Sequence, residues 1–316
     1  MNDAPEMLAA DRHRLLREHL MDEISRDQAA AAPRARRWPV WLAPPLVVAA
    51  AMAGVLATAS HHDSAPPPPP PAATSSAPAT AAELLERAAR EAAARPAVPA
   101  TRSQFLYTRT VSSGAYHPEP YSRQMWKALD GRTQGLIIDP TFGTAKNPEG
   151  RAALVPNVQG EPASIVFPDH DYLAALPTDP AQLLARVRAE GSGKSGQPDA
   201  EAFRAIGELI HGELLTPGVR AAFYRAAALI PGVTLVPDVV DATGRPGIAV
   251  ALVSPEGTGD GAARSEWIFD PTGRTYLGRR EVQVTDGREA KAGTVLFTNV
   301  TVETAVVDRA EQQPVR

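Results

Sequence analysis

The chain contains no cysteine among its 316 residues. That excludes disulfides, thiolate nucleophiles, and zinc or iron–sulfur sites built on thiolates. Any domain outside the reducing cytosol must therefore be held by its core alone. Aromatic residues are scarce at 5%. The charge is nearly balanced, with a net value of −4, so no basic surplus points to nucleic acid. Recognisable catalytic patterns are also missing: there is no G-x-S-x-G elbow and no H-E-x-x-H helix. No enzyme is expected, and no motif asks for a cofactor.

What the chain has is proline, 31 residues of it, and one long uncharged run. Trp38 to Ala59 is 22 residues without a charge. At about 1.5 Å rise per residue, such a helix crosses the roughly 30 Å hydrocarbon layer of a bilayer. Arg34, Arg36 and Arg37 precede it, whereas His61, His62 and Asp63 follow. The excess of arginine on one side predicts a transmembrane helix over 38–59 with a cytoplasmic N-terminus. Pro44 and Pro45 fall within the run, so a kink or a later helix start is expected. The competing reading is a cleaved signal peptide, for which Ala57-Thr58-Ala59 matches the A-x-A cleavage pattern. The 37 residues before the run are far longer than an ordinary n-region, which favours a retained anchor.

Residues 1–37 form the cytoplasmic tail. Leu16, Leu20 and Ile24 recur at i, i+4 and i+8 and make one apolar stripe on a short helix. The stripe either docks a cytoplasmic partner or belongs to a solvated juxtamembrane helix. Residues 60–80 include six consecutive prolines, Pro66–Pro71. They impose polyproline II and make the segment a semi-rigid spacer.

The outer domain is expected over 81–309, with 310–316 as a disordered C-terminus. AAELLERAAREAAAR, at 81–95, is a strong helix former stopped by Pro96. Three segments rich in β-branched and aromatic residues follow, starting at Arg102, Tyr121 and Thr133, with Asp130-Gly131 read as a tight hairpin turn. In LPTDPAQLLARV, Asp179 is the expected N-cap, Pro180 the first helical position and Gln182 the third. Helices are predicted over 199–215 and 217–230. Five strands end the chain, in VTLVPDVV, GIAVALV, SEWIFD, TYLGRREVQVT and VLFTNVTVETAVV. Short strands linked by Gly, Pro and Asp turns predict α+β: one curved antiparallel sheet with helices over one face.

Two stretches imitate chemistry. GSGKSG at 191–196 satisfies G-x-G-x-x-G, but it follows a helix and has Arg188 where a P-loop needs glycine. An interhelical loop is the better reading. PDHDYL places Asp169, His170 and Asp171 in succession, and neighbours on an extended chain point opposite ways, which is poor geometry for one metal. Capping or turn roles are expected for the aspartates.

A ligand cavity between sheet and helices is the more promising feature. Phe105 and Tyr107 alternate to one strand face, Trp126 lies on the next strand, and Trp267 and Phe269 alternate later. These five either line an apolar hollow or pack as ordinary core.

The order of elements resembles the extracytoplasmic half-barrel shared by the lipoprotein carrier LolA, its mycobacterial lipoprotein relatives and the sigma-factor regulatory protein RseB. The helix Glu83–Arg95 followed by the strand Gln104-Phe105-Leu106-Tyr107 carries that likeness. The chain is also similar to a family of single-pass actinobacterial membrane proteins of unassigned function. YLAALPTDPAQLLARV (172–187), LIPGVTLVPDVVDATGRPGIAVAL (229–252) and IFDPTGRTYLGRRE (268–281) carry it. The resemblance implies the layout of an anti-sigma-type regulator: a small cytoplasmic piece that meets a sigma factor or another regulator, one membrane span and an outer sensing module. The alternative is an anchored carrier or scaffold for an apolar envelope lipid or lipoprotein.

Overall fold

In a computed structural model, residues 78–155, 160–191, 196–255, 261–288 and 290–314 are described. The tail stripe Leu16, Leu20 and Ile24, the uncharged run 38–59 and nearly all of the spacer lie outside them. Among the described residues, no helix is long and apolar enough to cross a membrane.

Helix α1, Ala81–Ala94, starts where Thr80 accepts a hydrogen bond from the Glu83 amide at 3.1 Å, while the Glu83 carboxylate accepts from the Ala79 amide at 2.9 Å. The first satisfies a donor that the opening turn would otherwise leave open, and the second ties the preceding residue back onto that turn. Strands β1 (Phe105–Gly114), β2 (Tyr121–Ala128), β3 (Gly135–Ile138) and β4 (Arg151–Leu154) follow. Four helices come next: α2 (His170–Ala174), α3 (Pro180–Glu190), α4 (Pro198–Gly212) and α5 (Pro217–Ala228). The chain then returns to β5 (Thr234–Val240), β6 (Pro246–Ser254), β7 (Ala263–Phe269), β8 (Tyr276–Gln283) and β9 (Val295–Val307).

All nine strands join one open sheet in the order β4-β3-β2-β1-β9-β8-β7-β6-β5. Every neighbouring pair is antiparallel. Two meanders therefore meet where β1 pairs with β9. The edge strands β4 and β5 are consecutive in the chain, and helices α2–α5 make the crossing between them. Register shifts interrupt the ladders at Arg109/Thr110, Val236/Val239, Ile268/Phe269 and Glu281/Val282, each of which increases local twist.

The main core lies between α1, α3, α4, α5 and one face of β6–β7. Leu84, Leu85, Leu183, Phe203, Ile206, Val219 and Phe223 from the helices meet Ile248, Val250, Trp267 and Phe269 from the sheet. Burying a side chain of this size contributes roughly 1.5–3 kcal/mol. Two smaller clusters occupy the opposite face: Phe105, Tyr107, Trp126, Ala128 and Val307 form one, and Val239, Ala249, Ile268 and Leu277 the other.

The expected N-cap is present, since Asp179 Oδ1 accepts from the Gln182 amide at 2.8 Å and Pro180 opens α3. Gly191 ends that helix and Pro198 opens the next, so GSGKSG links two helices. Asp130-Gly131 is not a tight hairpin: β2 and β3 are joined by a loop in which Asp130 accepts from the amides of Arg132 and Thr133. Gly131 has φ +65°, which its lack of a Cβ permits. Strand β4 and helix α2 carried no sequence signal strong enough to be expected. Asp169 caps α2 by accepting from the Tyr172 amide at 2.8 Å, and Arg102 reaches Asp171 at 2.9 Å. Among the described residues, no group of His, Asp and Glu is arranged to hold a metal ion. Of the C-terminal residues, 310–314 lie against β2 instead of trailing free: Ala310 packs on the Tyr107–Trp126 cluster and Gln312 O accepts from Trp126 Nε1 at 2.8 Å.

Candidate functional site

Along β1, side chains alternate between the two sheet faces. Phe105 and Tyr107 point away from the helices, whereas Leu106 and Thr108 point toward them. Leu106 and Thr108 are among the walls of a hollow of about 420 Å³. Its apolar side comes from Ala88 and Ala92 of α1, Val98, Ile210 and Leu215. Its other side is polar, with Thr301 of β9, Tyr276 of β8, Tyr224 and Arg220 of α5, and His211 and Glu213 at the end of α4. The volume falls within the roughly 300–1,000 Å³ typical of small-molecule sites.

None of the five aromatic candidates lines this hollow. Tyr107 and Trp126 stack at a tilt on the opposite sheet face, centroids 5.1 Å apart, and Phe105 packs beside them. Trp267 lies flat on Phe203 at 4.2 Å, beneath α4. Phe269 comes nearest, since its ring touches both Tyr224 and Tyr276, at 5.7 Å each, and so backs the wall from behind. Of the three strands that carry these candidates, only β1 contributes to the walls, through the residues of its other face, and packing against the helices decides which face that is.

His211 is the centre of the polar side. Its Nδ1 lies 3.3 Å from the Tyr276 hydroxyl, and the rings meet edge to face. Burial, helped by the positive charges of Arg279, Arg220 and Arg123, pushes His211 down to about 3. The Asn299 amide beside it works in the other direction and is outweighed. Burial also raises the Tyr276 phenol well above its usual range. His211 is therefore neutral at physiological pH, inside a positive field.

The carboxylates of the walls are already engaged. Glu303 accepts from Arg109 at 3.0 Å, and Glu213 is ion-paired with Lys127. Burial holds the Glu213 carboxyl above its ordinary value despite that lysine. Arg220, by contrast, donates to the backbone carbonyls of Ile210 (2.8 Å) and Glu213 (3.3 Å), which caps the end of α4 and leaves its charge uncancelled. A second hollow, of about 310 Å³, adjoins through Glu213 and is lined by Met125, Lys127, Leu154, Val166 and Phe167. The Lys127–Glu213 pair stands where the two meet.

No family model matches the chain, and no curated protein matches it. Among solved structures, the Pseudomonas aeruginosa MucA/MucB complex is similar at 13% identity, over 73% of this chain and 59% of that one, with a TM-score of 0.26. This chain thus spans about three-fifths of that structure's chain, and a likeness at this level carries no argument about fold or function.

Proposed function

We propose that the described domain is an extracytoplasmic binding module that receives an amphiphilic ligand in the hollow, and that residues 38–59 anchor it in the membrane with the N-terminus inside. The observation that carries this reading is the two-sided wall. Leu106, Ala88, Ala92 and Ile210 offer an apolar surface for a chain, and Arg220, His211, Tyr276 and Thr301 offer a polar end. Occupancy of the hollow would be what the module senses, with the tail stripe Leu16, Leu20 and Ile24 as the contact for a cytoplasmic regulator. An idle tail would make the same module a carrier or scaffold.

A hydrolytic role is not supported by His211. A histidine held near 3 is too weak a base for proton abstraction at neutral pH, where an effective catalyst has a pKa close to the working value. Its hydrogen-bond partner is also a phenol whose own proton is held tightly.

The test is purification of the full chain from its native membrane, followed by extraction and mass spectrometry of what accompanies it. Ala92→Trp fills the apolar end and serves as the comparison. The wild type is expected to retain an amphiphile in stoichiometric amount and the variant to lose it, with circular dichroism unchanged. Equal lipid content in the two would sink the reading.

A further inference from the structure

Buried polar atoms in folded proteins are nearly always hydrogen-bonded, so a cluster of exceptions requires a cause. Among the described residues, seven buried side-chain polar atoms lack a hydrogen-bond partner within the protein, and five of them belong to Thr110, Thr301, Asn299, Arg279 and Arg123. These five residues are neighbours on the helix-side face of the sheet. Thr110 stands opposite Arg123 on β2 and opposite Thr301 on β9. Asn299 stands opposite Ser112 on β1 and opposite Arg279 on β8. They form two adjacent rows across four strands, and Thr301 is also a wall of the hollow.

The charges in this patch do not cancel. Arg123 sits 2.8 Å from Asp139, in an ion pair whose Nε–H is not aligned with an acceptor. Arg279 has only a long contact to Glu208, at 3.8 Å, and otherwise lies over the Phe297 ring. Arg220 donates to two backbone carbonyls and to the Tyr224 side chain, with no carboxylate partner among the described residues. His211 feels the positive charge of all three guanidiniums, has Tyr276 and Asn299 as polar neighbours, and contributes no charge of its own. His211, Arg220, Tyr276 and Thr301 thus share the walls of the hollow, and the unpartnered atoms of Thr110, Asn299 and Arg279 occupy neighbouring positions of the same sheet face. Asn299 donates to Ser112 at 2.7 Å, and turning its amide over would present Nδ2 to the site while Ser112 donates to Oδ1.

We propose that the His211 end of the hollow is a subsite for one anionic group, a carboxylate or a phosphate, held by Arg279 and Arg220 with the hydroxyls of Thr301 and Thr110. The proposal deepens the binding reading above, and rests on it for the claim that the anion is the head of an amphiphile. Charge-assisted hydrogen bonds from guanidinium to such oxyanions are the strong kind, and arginine suits their planar geometry. An anion placed beside His211 must also raise the affinity of the imidazole for a proton, because the two bindings are linked and reciprocal.

The test uses the full chain in phosphatidylcholine nanodiscs, with empty nanodiscs as the blank, and three probes: decanoate below its micelle concentration, decanol and inorganic phosphate. Calorimetry reads affinity. Histidine-selective NMR, assigned with His211→Gln, reads the His211 ring. Decanoate is expected to bind at least tenfold tighter than decanol and to move the His211 titration upward. Arg279→Gln should abolish that preference. Arg279→Lys should restore part of it, and Thr301→Val should reduce it several-fold with unfolding temperature preserved. Equal affinities for decanoate and decanol would overturn the anion subsite and leave the hollow standing. Phosphate binding that moves His211, with neither amphiphile bound, would keep the subsite and overturn the amphiphile reading. Silence from all three probes would overturn both.

Discussion

His211 shows how one residue's surroundings set its chemistry. In the unfolded chain its imidazole titrates near its ordinary 6.5, whereas in the folded protein burial and three nearby arginines lower it to about 3. Between those values the unfolded chain takes up a proton that the folded one refuses. Stability from this group is therefore complete above about pH 6.5 and falls as pH drops toward 3. Glu213, raised by burial, acts in the opposite sense, so the informative quantity is a difference. The urea midpoint of the wild type should fall more steeply than that of His211→Gln between pH 7 and pH 4.5. Parallel curves would show that the imidazole titrates normally. Nothing in the sequence around ELIHGELL distinguishes His211 from His117 or His170, because its neighbours Arg279, Arg220 and Asn299 come from other elements.

At the scale of elements, helix α4 shows packing overriding intrinsic preference. Glycine inside a helix ordinarily costs about 1 kcal/mol relative to alanine. Gly207 is nevertheless required, since a Cβ there would lie 2.4 Å from Trp267 Nε1 and 2.9 Å from its Cε2. The indole lies stacked on Phe203 and cannot retreat without giving up that contact. Gly207→Ala should therefore destabilise the domain by about 1–3 kcal/mol in chemical denaturation, the usual cost of overpacking. A gain in stability would show that β7 and α4 separate easily. Most elements were legible because each has a local cause. The Asp179-Pro180-x-Gln182 start of α3 and the thirteen-residue run of β9 both match expectation. Strand β4 was not legible. RAAL has no alternation of its own and is a strand because it pairs with β3 from Gly135 to Ile138.

For the whole molecule, the proposed sensing role requires the hollow to communicate with the tail. On the proposed single-span reading, one helix and a proline-rich spacer would transmit conformational change poorly, so a signal would need association of chains or proteolysis. The regulator reading expects the full chain to recover a sigma factor or another cytoplasmic regulator from native lysate. Leu16→Asp combined with Leu20→Asp should lose that partner. If both forms recover the same background, the tail only ends an anchor, and the carrier reading gains.

Local physical chemistry, which composition and periodicity record, determined a good deal here. The absence of cysteine removed thiol chemistry, the 22-residue uncharged run marked a candidate span, and turn residues with alternating strands foretold an α+β antiparallel sheet. The tertiary structure decided which face of each strand is inside. The alternation of Phe105 and Tyr107 with Leu106 and Thr108 is symmetric until helices cover one side of the sheet. Once they do, the aromatics become core and the smaller residues between them become the wall of a hollow. Its polar end draws His211, Arg220, Tyr276 and Thr301 from four elements. A charge constellation assembled across such sequence separations has no local pattern, so only the folded chain reveals it.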